Sequence, residues 1–253
     1  MGLRALVRRD PLFRNLSSTK PLGALVADDG AATTFRIFSP RATGLRLYLY
    51  AQRLDTPAQA VQVVDMTRDP DGVWETTLPG DLHSTWYDFT VHGPPDPGNW
   101  FFESHPVHIS DPYARVNDDA QGKSRVWRDA TRPTPLSGGR PAMEDVVAYE
   151  VHVQDFTDLL PVEPTETGSL PAMGRPGLRN AHGEPVGLDH LANLGVNVVH
   201  LMPVQEFLHY ADQEWRDAFA DDPFARAMGV AEENYQWGYR TTHAFAVESR
   251  FRS

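Results

Sequence analysis

The chain has 253 residues, enough for one large domain or two ordinary ones. It is 41% hydrophobic, carries a net charge of −11 and contains no cysteine. The acidic balance argues against a nucleic-acid partner, and the missing thiols exclude disulfides, cysteine nucleophiles and cysteine-ligated metals. No apolar run approaches about 18 residues, so no membrane span is expected. The opening "MGLRALVRRDPLFRN" lacks the apolar stretch of a secretory signal, and a cytoplasmic location is the expectation. A neutral ligand such as a polysaccharide suits this charge better than a polyanion does.

Residues 1–19 read as an N-terminal extension. From 20 to 125 the chain reads as short strands separated by turns. "TTFRIFSP" and "GLRLYLY" are rich in β-branched and aromatic residues, and Leu45, Leu47 and Leu49 alternate with Arg46, Tyr48 and Tyr50. That period of two marks a strand with one apolar face. "GVWETTLPG" and "TWYDFTVHGP" continue the style, each bounded by glycine or proline. Strands at this spacing, with no long helical pattern between them, predict an antiparallel, immunoglobulin-like sandwich. Trp74 and Trp86 lie within these strands, where single aromatics belong to a core more often than to a binding surface.

Residues 126–145 read as a linker, since "TRPTPLSGGRPAMED" has three prolines and no periodicity. The pattern then changes. "DVVAYEVHVQDF" has the β-branched run of a buried parallel strand. In "GLDHLANLGVNVVHLMPV", Leu188, Leu191 and Leu194 recur at helical spacing, Gly195 can end the helix, and "VNVVHLMPV" reads as a second buried strand. Strand, helix and parallel strand make a βαβ unit, which builds either an open doubly wound sheet or a closed (β/α)8 barrel. A full barrel needs roughly 250 residues, whereas 146–253 holds 108 (253 − 146 + 1). The expectation is the N-terminal part of a longer protein.

Glu150 and His152 share one parity and are expected to face each other as a buried pair. Trp215 and Phe219, four apart, predict a short amphipathic helix ended by Pro223. "NYQWGYRT", residues 234–241, sets Trp237 and Tyr239 either side of Gly238. Either aromatic can plug a core or present a flat face to a ligand. The ten histidines form no metal-ligating helix pattern, and the acids lack calcium-loop spacing, so neither metal nor cofactor is expected.

"YEVHVQDFT" (149–157) resembles the first barrel strand of the α-amylase superfamily of glycoside hydrolases, in particular its pullulanase and debranching members. "LDHLANLGVNVVHLMPV" (188–204) is similar to the helix and second strand of that barrel, and "NYQWGY" (234–239) to the motif after it. "PLGALVADDGAATTFRIFSPRATGLRLYLY", "GVWETTLPGDLHSTWYDFTVHG" and "ISDPYAR" resemble the starch- and glycogen-associated sandwich module that precedes the barrel. Two positions depart from the family pattern. Phe38 stands where a Trp-containing motif is frequent, and Arg240 and Thr241 stand where many debranching members have Asp-Pro.

The resemblance implies an all-β sandwich followed by the start of a (β/α)8 barrel over 146–253. It implies retaining cleavage of α-1,6 branch linkages in pullulan, glycogen or starch by two carboxylates about 5–5.5 Å apart. Its nucleophile, acid/base and third Asp come from the fourth, fifth and seventh strands, so no catalytic residue is assigned in this chain. Tyr239 matches the tyrosine that stacks on the sugar at the cleavage subsite. Trp237 and Glu206, the latter at the start of a βα loop, are further candidates for contact with an α-glucan. The alternatives are a glucan branching enzyme, which transfers chains, and a non-catalytic α-glucan-binding fragment. The oligomeric state is left open.

Overall fold

The computed structural model describes residues 16–93, 107–120, 122–129, 132–208 and 237–252, together with isolated positions 217, 221 and 223. The chain divides into two compact units, one through residue 131 with 243–246, the other over 132–242 and 247–253.

The first unit is a two-sheet antiparallel sandwich. One sheet has the order β1 (Gly23–Val26), β2 (Ala32–Phe38), β6 (Val73–Pro79), β5 (Thr67–Arg68). The other has the order β4 (Gln62–Asp65), β3 (Gly44–Tyr50), β7 (Trp86–His92), β10 (Ser124–Arg125), β9 (Val116–Asn117), with β8 (His108–Ile109) also on β7. The alternation read from "GLRLYLY" is observed: Leu45, Leu47 and Leu49 are buried beside Phe35 and Ile37 of β2, Trp74 and Leu78 of β6, and Tyr87, Phe89 and Val91 of β7. Phe35 meets Tyr87 edge-on at 5.1 Å, and Tyr87 meets Phe89 likewise at 5.7 Å. Each such ring contributes roughly 1.5–3 kcal/mol by leaving water.

A polar seam runs through this core. Tyr87 donates its hydroxyl to buried Asp111 at 2.7 Å, the Asp111 amide donates to Ser124 Oγ at 2.9 Å, and Ser124 donates to Asn117 Oδ1 at 2.9 Å. Burial pushes the Asp111 carboxyl up to about 6. Trp74 is core, its indole N–H satisfied by the Ser39 carbonyl at 3.0 Å. Trp86 is half-buried, with the Arg125 guanidinium 5.2 Å from its ring centre.

In the second unit, β11 (Ala148–Val151) pairs in parallel with β12 (Val198–Leu201), in the register Ala148↔Val198 to Val151↔Leu201. The connection carries α1 (Val153–Thr157), α2 (Leu170–Met173) and α3 (Leu188–Asn193). Each helix start has a local cause. His152 Nδ1 accepts from the Asp155 amide at 3.5 Å, Ser169 Oγ accepts from Ala172 N at 3.1 Å, and Gly187 takes φ 66° ahead of α3. Gly195, at φ 85°, ends α3 as the sequence indicated. Val151, Val153, Met173, Leu191, Phe207 and Phe251 form the unit's core.

Two expectations are corrected. The parallel strands are largely exposed rather than buried, with Tyr149 at 46% exposure, because among the described residues the sheet has only two strands and little covers its faces. Glu150 and His152 do not pair. The strand stops at Val151, so parity ends there; Glu150 instead faces its register partner His200 at 3.7 Å, while buried His152 caps α1. The expected helix carrying Trp215 and Phe219 lies outside the described residues. No helix among them is long and apolar enough to cross a membrane.

Candidate functional site

Beyond β12 the chain turns at Met202–Val204 and enters β13 (Gln205–Phe207), which pairs with β14 (Thr241–Val247). Backbone bonds close this pairing at both ends, Leu208 N to Arg240 O and Glu248 N to Val204 O, each 2.9 Å. The segment 237–240 leads into β14 and is packed onto the turn at Pro203. At Gly238, φ is 80° and an added Cβ would lie 2.4 Å from the Pro203 carbonyl oxygen, so only glycine permits this approach. The consequence falls on its neighbours. Trp237 and Tyr239 are turned outward, 58% and 68% exposed, as two aromatic side chains flanking a fixed backbone point. Neither is a core plug.

Glu206 sits differently. It is fully buried, and its Oε2 accepts from the Ser249 amide at 3.0 Å. Glu248, also fully buried, accepts from the Phe207 amide through Oε2 at 3.3 Å and from Arg250 Nε through Oε1 at 3.1 Å. Burial foremost, then the facing Glu248, pushes the Glu206 carboxyl up to about 8, with Arg252 pulling the other way. This carboxyl pair is not hydrolytic machinery. Its members are sealed from solvent, whereas retaining cleavage needs an open pair of carboxyls with the sugar between them. Of the three sequence-derived candidates, the structure presents Trp237 and Tyr239 at the surface and withdraws Glu206 into a brace.

A second region, on the sandwich, was not singled out from the sequence. A pocket of about 320 Å³ is lined by Arg53, Pro57, Asp88, His108, Asp118 and Lys123 among others. Asp88, in its lining, accepts from the hydroxyl of buried Tyr50 at both oxygens, at 3.0 and 3.1 Å, and His108 Nδ1 lies 2.8 Å from Asp88 Oδ1. Burial lifts the Asp88 carboxyl above its ordinary value, opposed by His108. The Lys123 ammonium stands 4.6 Å from the Tyr50 ring centre. The available signal was Asp88 itself, an acid in the middle of the core-forming run "WYDFTVH". Among the described residues no three His, Asp or Glu side chains gather to hold a metal.

Residues 21–114 match the model of carbohydrate-binding module 48, the isoamylase N-terminal domain. The chain is 29% identical over 259 residues to a glycogen debranching enzyme of Pectobacterium carotovorum, covering 90% of this chain and 34% of the relative. It is 27% identical over 237 residues to a pullulanase of Bacillus subtilis, covering 92% and 28%. This chain is similar in sequence to pullulanases and glycogen debranching enzymes. Among solved structures, type I pullulanase of Bacillus subtilis complexed with maltose matches with a TM-score of 0.69 at 25% identity, over 94% of this chain and 29% of that one. The chain therefore spans about a third of the length of the relatives it matches, and the similarity takes in both the sandwich and the mixed α/β unit.

Proposed function

We propose that the chain is the glucan-recognising portion of a glycoside hydrolase that cleaves α-1,6 branch linkages in pullulan, glycogen or starch by a retaining two-carboxylate mechanism. In this reading β11, the α1–α3 connection and β12 open a (β/α)8 barrel, and the 237–240 segment is a loop at the C-terminal end of a strand, where barrel enzymes carry their sites. The carrying observation is the outward pair Trp237 and Tyr239, locked around Gly238, in one chain with a carbohydrate-binding module. Tyr239 stacks on a glucose ring, its aromatic face against the ring's C–H surface, and Trp237 extends the contact.

The sandwich pocket fits the same substrate class. Arg53, Asp88, His108, Asp118 and Lys123 supply donors and acceptors for sugar hydroxyls. The resemblance places the catalytic carboxylates on the fourth, fifth and seventh barrel strands, none of which is among the described residues, so the 253-residue chain is proposed to bind glucan without cutting it. The experiment is a reducing-end assay of the natural gene product on pullulan. Release of reducing ends is expected. Chain transfer without new reducing ends would place the protein among the glucan branching enzymes, and no action on α-1,6 linkages would overturn the reading.

A further inference from the structure

Glu206 and Glu248 make a reciprocal clamp. Each carboxylate oxygen Oε2 holds the backbone N–H of the residue that follows the other glutamate, Ser249 for Glu206 and Phe207 for Glu248. The pair thereby ties β13 to the 3-10 turn Ser249–Phe251. The remaining oxygen, Glu206 Oε1, is fully buried and finds no donor among the described residues, and the equally buried Glu248 faces it across the clamp. Ionised carboxylates are acceptors only. Two of them sealed together repel, and such a pair is held by a proton on one partner, as in dyads of carboxylates sharing a site.

We propose that Glu206 and Glu248 share a single proton in the folded chain, and that its loss weakens the β13 clamp and loosens the 237–240 loop that the clamp supports. The mechanical link is short. Thr242 Oγ1 donates to the Glu206 carbonyl at 3.1 Å, and Leu208 N holds the Arg240 carbonyl at 2.9 Å. Movement of Glu206 is passed to both ends of the strand entry beside Tyr239.

Two arginines border the pair and oppose the proton: Arg252 Nη2 lies 3.8 Å from Glu206 Oε2, and Arg250 is engaged with Glu248 through its amide and Nε. His152 stands one ring away, edge-on to Phe251 at 6.0 Å, and Phe251 in turn packs on Phe207 at 6.2 Å. The Glu206 carboxyl is pushed up from 4.5 to about 8 by burial and by Glu248. A carboxyl raised on folding stabilises fully below its unfolded value, and that contribution is lost as pH rises through the folded one. The clamp is therefore tightest near pH 4.5 and loosest above about pH 8. The consequence for sugar contact rests on the function proposed above; the shared proton does not.

The test is carbon-13 NMR of the glutamate carboxyls in the whole 253-residue chain, with hydrogen exchange of the Phe207 and Leu208 amides corrected for base catalysis. One carboxyl is expected to titrate near pH 8, and to vanish from that range in Glu206→Gln. Opening at Phe207 and Leu208 should rise by up to about tenfold per pH unit between pH 5 and 8 in the wild type. In Glu206→Gln, whose amide donates to Glu248 without titrating, it should stay flat. Should that variant fail to fold, the wild-type titration decides alone. All glutamates titrating in the ordinary range would overturn the proposal. So would a midpoint that moves with calcium or with EDTA, since the pair would then hold a cation rather than a proton.

Discussion

The two units are built from the same kinds of residue but close their cores differently. In the sandwich, two sheets face each other across one core, so Leu45, Leu47 and Leu49 are buried as their alternation requires. In the second unit, "AYEV" and "VVHL" have an equally strand-like composition, yet Tyr149 and Val199 stay exposed because the parallel pair has no sheet facing it among the described residues. Local pattern decides which residues extend; a second layer decides which are buried. Polar groups differ in the same sense. Asp111 belongs to a satisfied network inside a closed core, whereas Glu206 keeps one oxygen without a donor among the described residues.

The largest expected effect lies in the sandwich. Phe89→Ala empties a fully buried site between the sheets and should cost about 3–5 kcal/mol in denaturant unfolding followed by tryptophan fluorescence. A loss below about 1 kcal/mol would mean that this core is far looser than its packing indicates. Next comes Asp111→Asn. The Asp111 carboxyl is raised from 3.8 to about 6, so wild-type stability is fully present below pH 3.8 and declines as pH rises through 6. The variant should lack this decline, worth about 3 kcal/mol, when Tm is followed from pH 4 to 7.

Gly238→Ala tests the second unit. The Cβ clash with Pro203 and the positive φ should cost about 1–3 kcal/mol, read as lost hydrogen-exchange protection at Leu208 with the sandwich amides unchanged. The smallest effect belongs to Glu150→Gln. Both Glu150 and His200 are exposed, so stability should change by less than about 0.5 kcal/mol.

Much of the fold was legible because the sandwich strands obey a period of two and the βαβ unit shows a period change with Gly195 at its break. The outward aromatics of "NYQWGYRT" were legible only as alternatives, and the Gly238–Pro203 approach decides between them. Glu206 was misplaced for a physical reason. Its position after "LMPV" says that it enters a loop, but its burial depends on Glu248, 42 residues further on (248 − 206), and no local pattern links the two. The sandwich pocket was missed likewise, since Tyr50, Asp88 and His108 meet only through strand pairing.

Affinity electrophoresis of the 253-residue chain in glycogen-containing gels asks whether it binds α-glucan at all. The chain should migrate more slowly in glycogen than without it, recover its mobility with added maltotetraose, and lose part of the retardation in Tyr239→Ala. Identical mobility with and without glycogen would contradict the glucan-binding account of both the sandwich and the Tyr239 loop.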